Sequence, residues 1–439
     1  MNRLTIRDQK STAWAFTAIL SYLTVIAVLL SPQFYYTGKI GPSEPFHGER
    51  VIISALIILI AVACSDRVRI PVNRVSFGLI LITTSVTISL LSNIVLFGLN
   101  PSYYDVLFIL LWVTYVLIFI VIGGNISIKT AQSCLILSLV ITILIAVFAL
   151  FQSAGNQFAL ETLRPIYTER SIRHVRLSPT ATTSNPNSLG KLVLIPLFTF
   201  FALSYRSIIK KREHKDIMYS ILFAFLALLF FSIIVISDAR SALIGAIVGV
   251  CVIITSLKFS QVGNHKYEQW ITRGIILVVI LILYISIFVL EVGRIGNLQN
   301  ILQDNSLQTR FYRWKQILPL ILDHPLIGHG PDDRFISQVS FEYIDSGVLA
   351  WWYFYGIVGV LSYLYFVIGV IRVGFNGLRN KHMFQDRPII WSSSVAVLGW
   401  FSGTLVVWIF AGVPNSQRVF TFALIIVAFI FNSTTETTS

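Results

Sequence analysis

The chain has 439 residues, 55% of them hydrophobic and 12% charged, with a formal net charge of +13. Charged residues normally make up about a quarter of a soluble protein, so a soluble fold is excluded. The positive charge is spread over short segments between apolar runs, and no compact basic domain exists to hold a nucleic acid.

Apolar runs near the ~20 residues needed to cross a bilayer recur along the chain. They fall at 12–31, 51–64, 75–98, 105–123, 130–152, 189–205, 218–237, 241–257, 271–291, 346–371, 389–411 and 417–432. This pattern predicts an all-α polytopic membrane protein of roughly twelve helices, because helices and closed barrels are the spanning solutions open to a backbone in lipid. The first run lacks a small-residue cleavage site and is read as a first span, not a removed leader. Cys64, Cys134 and Cys251 lie inside apolar runs and are expected to be buried small hydrophobes.

Orientation follows from the basic segments. Arg3, Arg7 and Lys10, then Arg67, Arg69 and Arg74, then "RSIIKKREHK" (206–215) and "RVGFNGLRNKHMFQDR" (372–387) all fall on one side. That side is expected to be the cytoplasm, with both termini in it.

Two segments on the opposite side are too long for simple connectors, at about 153–188 and about 292–345. They divide the chain into 1–291, with the first nine helices; 292–345, a large, partly helical periplasmic loop; and 346–439, with the last three. Long loops of this kind are functional or disordered, and clustered arginines and aromatics favour function. No nucleotide-binding glycine loop is present, which argues against an ATP-driven pump.

Within the larger loop, "NSLQTRFYRWKQILPLIL" (305–322) reads as a helix. Phe311, Trp314, Ile317, Leu318 and Ile321 share one face at about 100° per residue. Arg310 and Arg313 edge that stripe, as suits a helix lying on a membrane surface. Pro325 predicts a stop near Leu322–Asp323, and "GHGPDD" reads as a turn.

Arginine suits two-pronged recognition of phosphate. Arg164, Arg170, Arg173, Arg176, Arg240, Arg294, Arg310, Arg313 and Arg334 are the candidates on the loop side, with lipid headgroups as their other possible partner. Arg240 stands with Asp238 in a minimal turn between two spans, where a charge is costly. In "SNPNSLG" (184–190), Asn185 and Asn187 suit either a helix-capping turn or recognition of sugar hydroxyls. His324 suits proton transfer or substrate hydrogen bonding, or belongs to a structural turn. The spacing of His324 and His329 fits no zinc pattern, so no metal and no cofactor are expected. Asp345, with Glu342, stands where the loop re-enters the membrane beside Trp351 and Trp352; it suits either a base for an attacking hydroxyl or a cap of the next helix.

Taken in order, "SNPNSLGKLVLIPL", "SDARSALIGAIVG", "TRFYRWKQILPLILDHPLIGHGPDDRF" and "YIDSGVLAWWYFYGIVGVL" resemble the superfamily of bacterial O-antigen ligases and Wzy-type polysaccharide polymerases. The resemblance implies a metal-independent, GT-C-like glycosyltransferase of the inner membrane. It would act at the periplasmic face on undecaprenyl-diphosphate-linked oligosaccharides, among membrane lipids, with a flippase and a chain-length regulator as possible partners. It makes Arg240, Arg310 and Arg313 diphosphate-binding residues, with Arg176 beside them, and His324 the loop histidine. Ligases of the superfamily typically carry a His-Asn pair before the "GIVG" span; this chain has Asp345-Ser346. That departure favours a polymerase, inverting in its chemistry, over a ligase that transfers finished glycan to lipid A-core. A lipid-linked oligosaccharide flippase is the rival of another class; it would line a central cavity with arginines.

Overall fold

The structure, a computed structural model, describes residues 17–30, 71–98, 100–101, 103–163, 179–183, 186–210, 214–260, 305–330, 344, 346–410 and 417–435. Among these the chain is helical and forms no strand. In chain order the helices are α1 (Thr17–Leu30), α2 (Arg74–Phe97), α3 (Tyr103–Asn125), α4 (Ile128–Ser153), α5 (Pro186–Lys210), α6 (His214–Ile236), α7 (Arg240–Ser260), α8 (Asn305–Asp323), α9 (Gly347–Arg379), α10 (Lys381–Asp386), α11 (Pro388–Phe410) and α12 (Gln417–Thr435). A π-helical turn, Phe158–Leu163, follows α4.

Seven of them, α2, α4, α5, α6, α7, α9 and α11, are long and apolar enough to cross a membrane. Shorter apolar helices at Thr17–Leu30, Phe108–Gly124 and Arg418–Ser433 match three more expected spans. The protein is thus an all-α polytopic membrane protein. The runs at 51–64 and 271–291 lie outside the described residues.

Local chemistry sets the helix ends. Asn73 caps α2, its Oδ1 accepting from the Val75 and Ser76 amides at 2.7 and 3.0 Å, while Ser76 Oγ accepts from the Asn73 amide at 3.1 Å. This reciprocal pair satisfies amides that a helix start leaves open. Ser127 and Ser346 cap α4 and α9, each accepting from one amide, of Thr130 and Leu349 respectively.

Helices α5 and α11 are mostly buried, whereas α6 turns most of its surface outward. Helix α11 packs against α5, α7 and α9, and α9 also packs against α2. Gly249 on α7 and Gly399 on α11 meet beside Phe198, as expected where association depends on close backbone approach. Trp391, Trp400 and Trp408 run fully buried down α11.

One expectation is corrected. Cys134 is buried, but Cys251 is exposed on α7; an apolar residue in a span can face lipid as readily as protein. Of the five residues on the apolar face of α8, Ile317 and Ile321 are buried. Trp314 is half-buried, and Phe311 and Leu318 are exposed.

Candidate functional site

Two assemblies form at one end of the bundle. The first joins α8 to α9. Helix α9 is broken at Gly356, whose φ of 65° and ψ of −174° belong to a region essentially confined to glycine. A break at this depth orphans backbone groups that lipid cannot satisfy. The turn after α8 supplies their partners. The His329 amide donates to the Tyr353 carbonyl at 2.8 Å and the Gly330 amide to the Phe354 carbonyl at 2.9 Å; in return the Ile357 amide donates to the Pro325 carbonyl at 2.9 Å. Trp352 Nε1 donates to the same Pro325 carbonyl at 3.0 Å. From α2, Ser89 Oγ donates to the Phe354 carbonyl and Asn93 Nδ2 to the Gly328 carbonyl. The stretch "HPLIGHG" is thus a plug seated in a broken helix.

His329 is buried in this plug. Its ring stacks on Tyr353, with centroids 4.5 Å apart, and its Nε2 lies 2.7 Å from the Leu320 carbonyl. A carbonyl only accepts, so Nε2 carries the proton. Burial holds His329 below its ordinary value, and the neighbouring His324 pushes the same way; the Leu320 bond and Asp323 oppose. His324 is half-buried, its ring edge-on to His329 at 4.6 Å. Arg310 and Arg313 stand half-buried on α8. Ser346 and Gly347 begin α9 under Trp408 of α11: a Cβ on Gly347 would meet the Trp408 ring at 2.1 Å.

The second assembly is a buried polar layer. The turn between α6 and α7 places Asp238 at a φ of 53°, and the half-buried Arg240 is the first residue of α7. Gly190 of α5 presses on this turn; a Cβ there would stand 2.6 Å from that of Ala239 and 2.8 Å from that of Ala242. The "SNPNSLG" and "SDARS" motifs are therefore in contact. Asn187 is exposed in the first turn of α5. Gln152 at the end of α4 uses Oε1 to accept from the Thr180 and Ala181 amides at 3.1 and 2.7 Å. Arg418, buried in the first turn of α12, donates to the Thr182 carbonyl. Lys191, one residue past Gly190, is 5% exposed, and its carbonyl accepts from Trp400 Nε1 at 2.9 Å.

The structure thus places Arg240 on the α6–α7 turn and His324 in the plug, whereas Arg310 and Arg313 stand on α8 itself, 14 and 11 residues before His324. Asp345, Glu342, Arg176 and Asn185 lie outside the described residues, as do Arg164, Arg170, Arg173, Arg294 and Arg334. Sequence reasoning missed Lys191, Arg418, Gln152 and the structural role of His329. The available signal was a lysine inside the apolar run "LGKLVLIPL" and an arginine opening the last one. Among the described residues, no three His, Cys, Asp or Glu side chains gather in a metal-binding group.

Residues 224–364 match the family model for O-antigen ligase. The resemblance read from the motifs is borne out over this stretch. The matched region runs from α6 through the Arg240 turn and α8 into the second half of α9, so it contains both the break and its plug. The match reaches the superfamily, not the branch. It supports glycan processing of the ligase or polymerase type by a glycosyltransferase-like membrane enzyme acting on lipid-linked glycans. No curated protein matches the chain.

Proposed function

We propose that the protein is a polysaccharide polymerase of the bacterial inner membrane. It joins undecaprenyl-diphosphate-linked repeat units into a surface polysaccharide at the periplasmic face, with both termini in the cytoplasm. The observation that carries the reading is the family match over 224–364, the stretch that holds Arg240, Arg310, Arg313, His324 and Asp345. The polymerase branch is favoured by Asp345-Ser346 in place of the ligases' His-Asn pair.

In the reaction, a hydroxyl of one lipid-linked unit attacks the anomeric carbon of the second glycan from the face opposite the diphosphate. The new glycosidic bond forms as the bond to the diphosphate oxygen breaks, which inverts the centre. The hydroxyl proton passes to a base, to which we assign Asp345, with Glu342 next to it. The electron pair leaves on undecaprenyl diphosphate, and fixed cations stabilise that charge; stabilisation aimed at developing charge is usually the largest catalytic contribution. Arg240 serves from the polar layer, and Arg310 and Arg313 from α8, with Arg176 joining them. His324 orients a sugar from the edge of the plug, and Asn185 and Asn187 bind sugar hydroxyls. Fixed cations take the place a divalent metal would have, so the reaction is metal-independent and needs no cofactor.

The match description itself favours a second reading, transfer of finished glycan to lipid A-core. Purified protein incubated with a defined lipid-linked repeat unit in the presence of EDTA separates them. A ladder of products is expected. Transfer only to an added lipid A-core acceptor makes the protein a ligase, and restoration of activity by magnesium or manganese refutes metal independence.

A further inference from the structure

The polar layer holds more than the proposed reaction uses. Lys191 and Arg418 are each 5% exposed, Gln152 is fully buried and Thr182 is 3% exposed. Lys191 lies within the candidate span Pro186–Ile209, where an ionisable side chain is costly and marks function more often than architecture. Its Cα–Cβ bond tilts toward the start of α5, as on any helix, so its long stem runs back toward the level of the Arg240 turn. Arg418 sits in the first turn of α12 and Arg240 at the first position of α7. These are the positive ends of helix dipoles, where a cation is disfavoured. Both arginines stand against the dipole of their own helix, and neither stabilises it.

A separate observation points to what the layer receives. Gln152 Oε1 is fully engaged, which fixes the orientation of its amide, and Nε2 is buried without a hydrogen-bond partner. Thr182 Oγ1 is likewise buried without one, although the carbonyl of the same residue accepts from Arg418. Buried donors left open are rare in native structures, and these adjoin a buried guanidinium. What they lack is an acceptor oxygen.

We infer that Lys191, Arg418, Gln152 and Thr182 line a pocket for a phosphoryl oxyanion at the mouth of α5, next to Arg240. Asp238, on the α6–α7 turn, is the carboxylate closest to Arg240 in sequence. Under the polymerase reading, on which this deepening rests, the occupant is the diphosphate of the lipid carrier; an anionic lipid headgroup carries the same chemistry.

The test uses full-length protein in nanodiscs of zwitterionic lipid, with geranylgeranyl diphosphate as the probe and inorganic pyrophosphate or phosphatidylglycerol as competitors. Lys191→Met and Gln152→Leu are each expected to weaken binding about 10-fold, the loss of one charge-assisted or buried hydrogen bond, and Lys191→Arg to retain most of it. Replacing a buried charge by an apolar side chain of similar length is often neutral or stabilising. Lys191→Met should therefore keep or raise the Tm while it loses binding. Competition by pyrophosphate assigns the pocket to a diphosphate, and competition by phosphatidylglycerol alone assigns it to a headgroup; either supports the oxyanion site. Unchanged binding in both variants overturns it, as does a loss that comes with a lowered Tm, which would make the lysine structural. Product ladders made by wild-type protein keep the two readings apart. A ladder with Lys191-independent binding sinks this inference alone, and Lys191-dependent binding without glycan synthesis sinks only the polymerase.

Discussion

Gly356→Ala should dislodge the plug from α9. A Cβ at Gly356 would stand 2.0 Å from the Leu326 carbonyl oxygen and 2.5 Å from the Ile327 amide nitrogen. These are backbone atoms and cannot swing aside as a side chain would. The φ of 65° with ψ of −174° adds about 1–3 kcal/mol of backbone strain for any residue with a side chain. Relief by undocking forfeits the hydrogen bonds at Tyr353, Phe354 and Ile357, each worth about 1 kcal/mol net and more if its partner stays buried and open. The expected cost is roughly 4–6 kcal/mol, large enough to open this region while the remaining helices stay packed. Hydrogen exchange should show lost protection at 328–330 and 353–357 at unchanged helical content. Gly98→Ala is the control: its φ is 64°, but nothing lies within 4 Å of the added Cβ, so it should cost only about 1–2 kcal/mol. Protection in Gly356→Ala equal to that in Gly98→Ala would refute the reasoning.

Arg240→Ala should lower kcat/KM by roughly 10- to 100-fold through one lost charge-assisted hydrogen bond, with poor rescue by lysine, which lacks the guanidinium fork; full ladder formation at matched expression would remove Arg240 from the diphosphate site. His329 makes the plug acid-sensitive. Burial depresses its folded value below the ordinary 6.5, so the unfolded chain binds the proton more readily, and stability present above that pH is lost as pH falls below it. Thermal unfolding from pH 8 to 5 should show this loss in the wild type and a smaller one in His329→Gln; equal slopes would contradict it. Asp345→Asn should abolish chain growth while donor binding persists, with His324→Ala the milder change. Normal polymerisation by Asp345→Asn would reduce that carboxylate to a helix cap.

The spans within the described residues and the extent of α8 were legible because they rest on local rules. Apolar run length locates the former, and the 100° period with Pro325 locates the latter, which ends at Asp323. The buried face of α8 was less legible. The stripe of five apolar residues is real, but α9 offers a seat only to Ile317 and Ile321, and in a membrane protein the remaining face can meet lipid at no cost. The break at Gly356 left no mark in "WWYFYGIVGVL", since glycine is common in membrane helices and nothing local distinguishes one in a helix from one that ends it. Lys191 reads as an ordinary topology charge until α5 is seen to be enclosed by α6, α7 and α11.

The broken helix bears directly on what the polar loop is for. The segment from Gly347 to Tyr355 is too short to be stable alone, because helices shorter than about 12 residues are marginal. Its position depends on what holds its two ends and its face. Ser346 caps one end, its Oγ accepting from the Leu349 amide; the plug takes the carbonyls at the other; Ile317 and Ile321 of α8 pack on Ala350 and Tyr353 between them. In the sequence, Asp345 immediately precedes that cap. Much of the chemistry crowded into "DHPLIGHG" is therefore spent on satisfying a gap in a membrane helix, with His329 as its buried pin. His324 lies half-buried at the rim of the same plug. Disturbing the pin should then lower kcat more than donor affinity, whereas disturbing the polar layer around Arg240 should weaken the donor first.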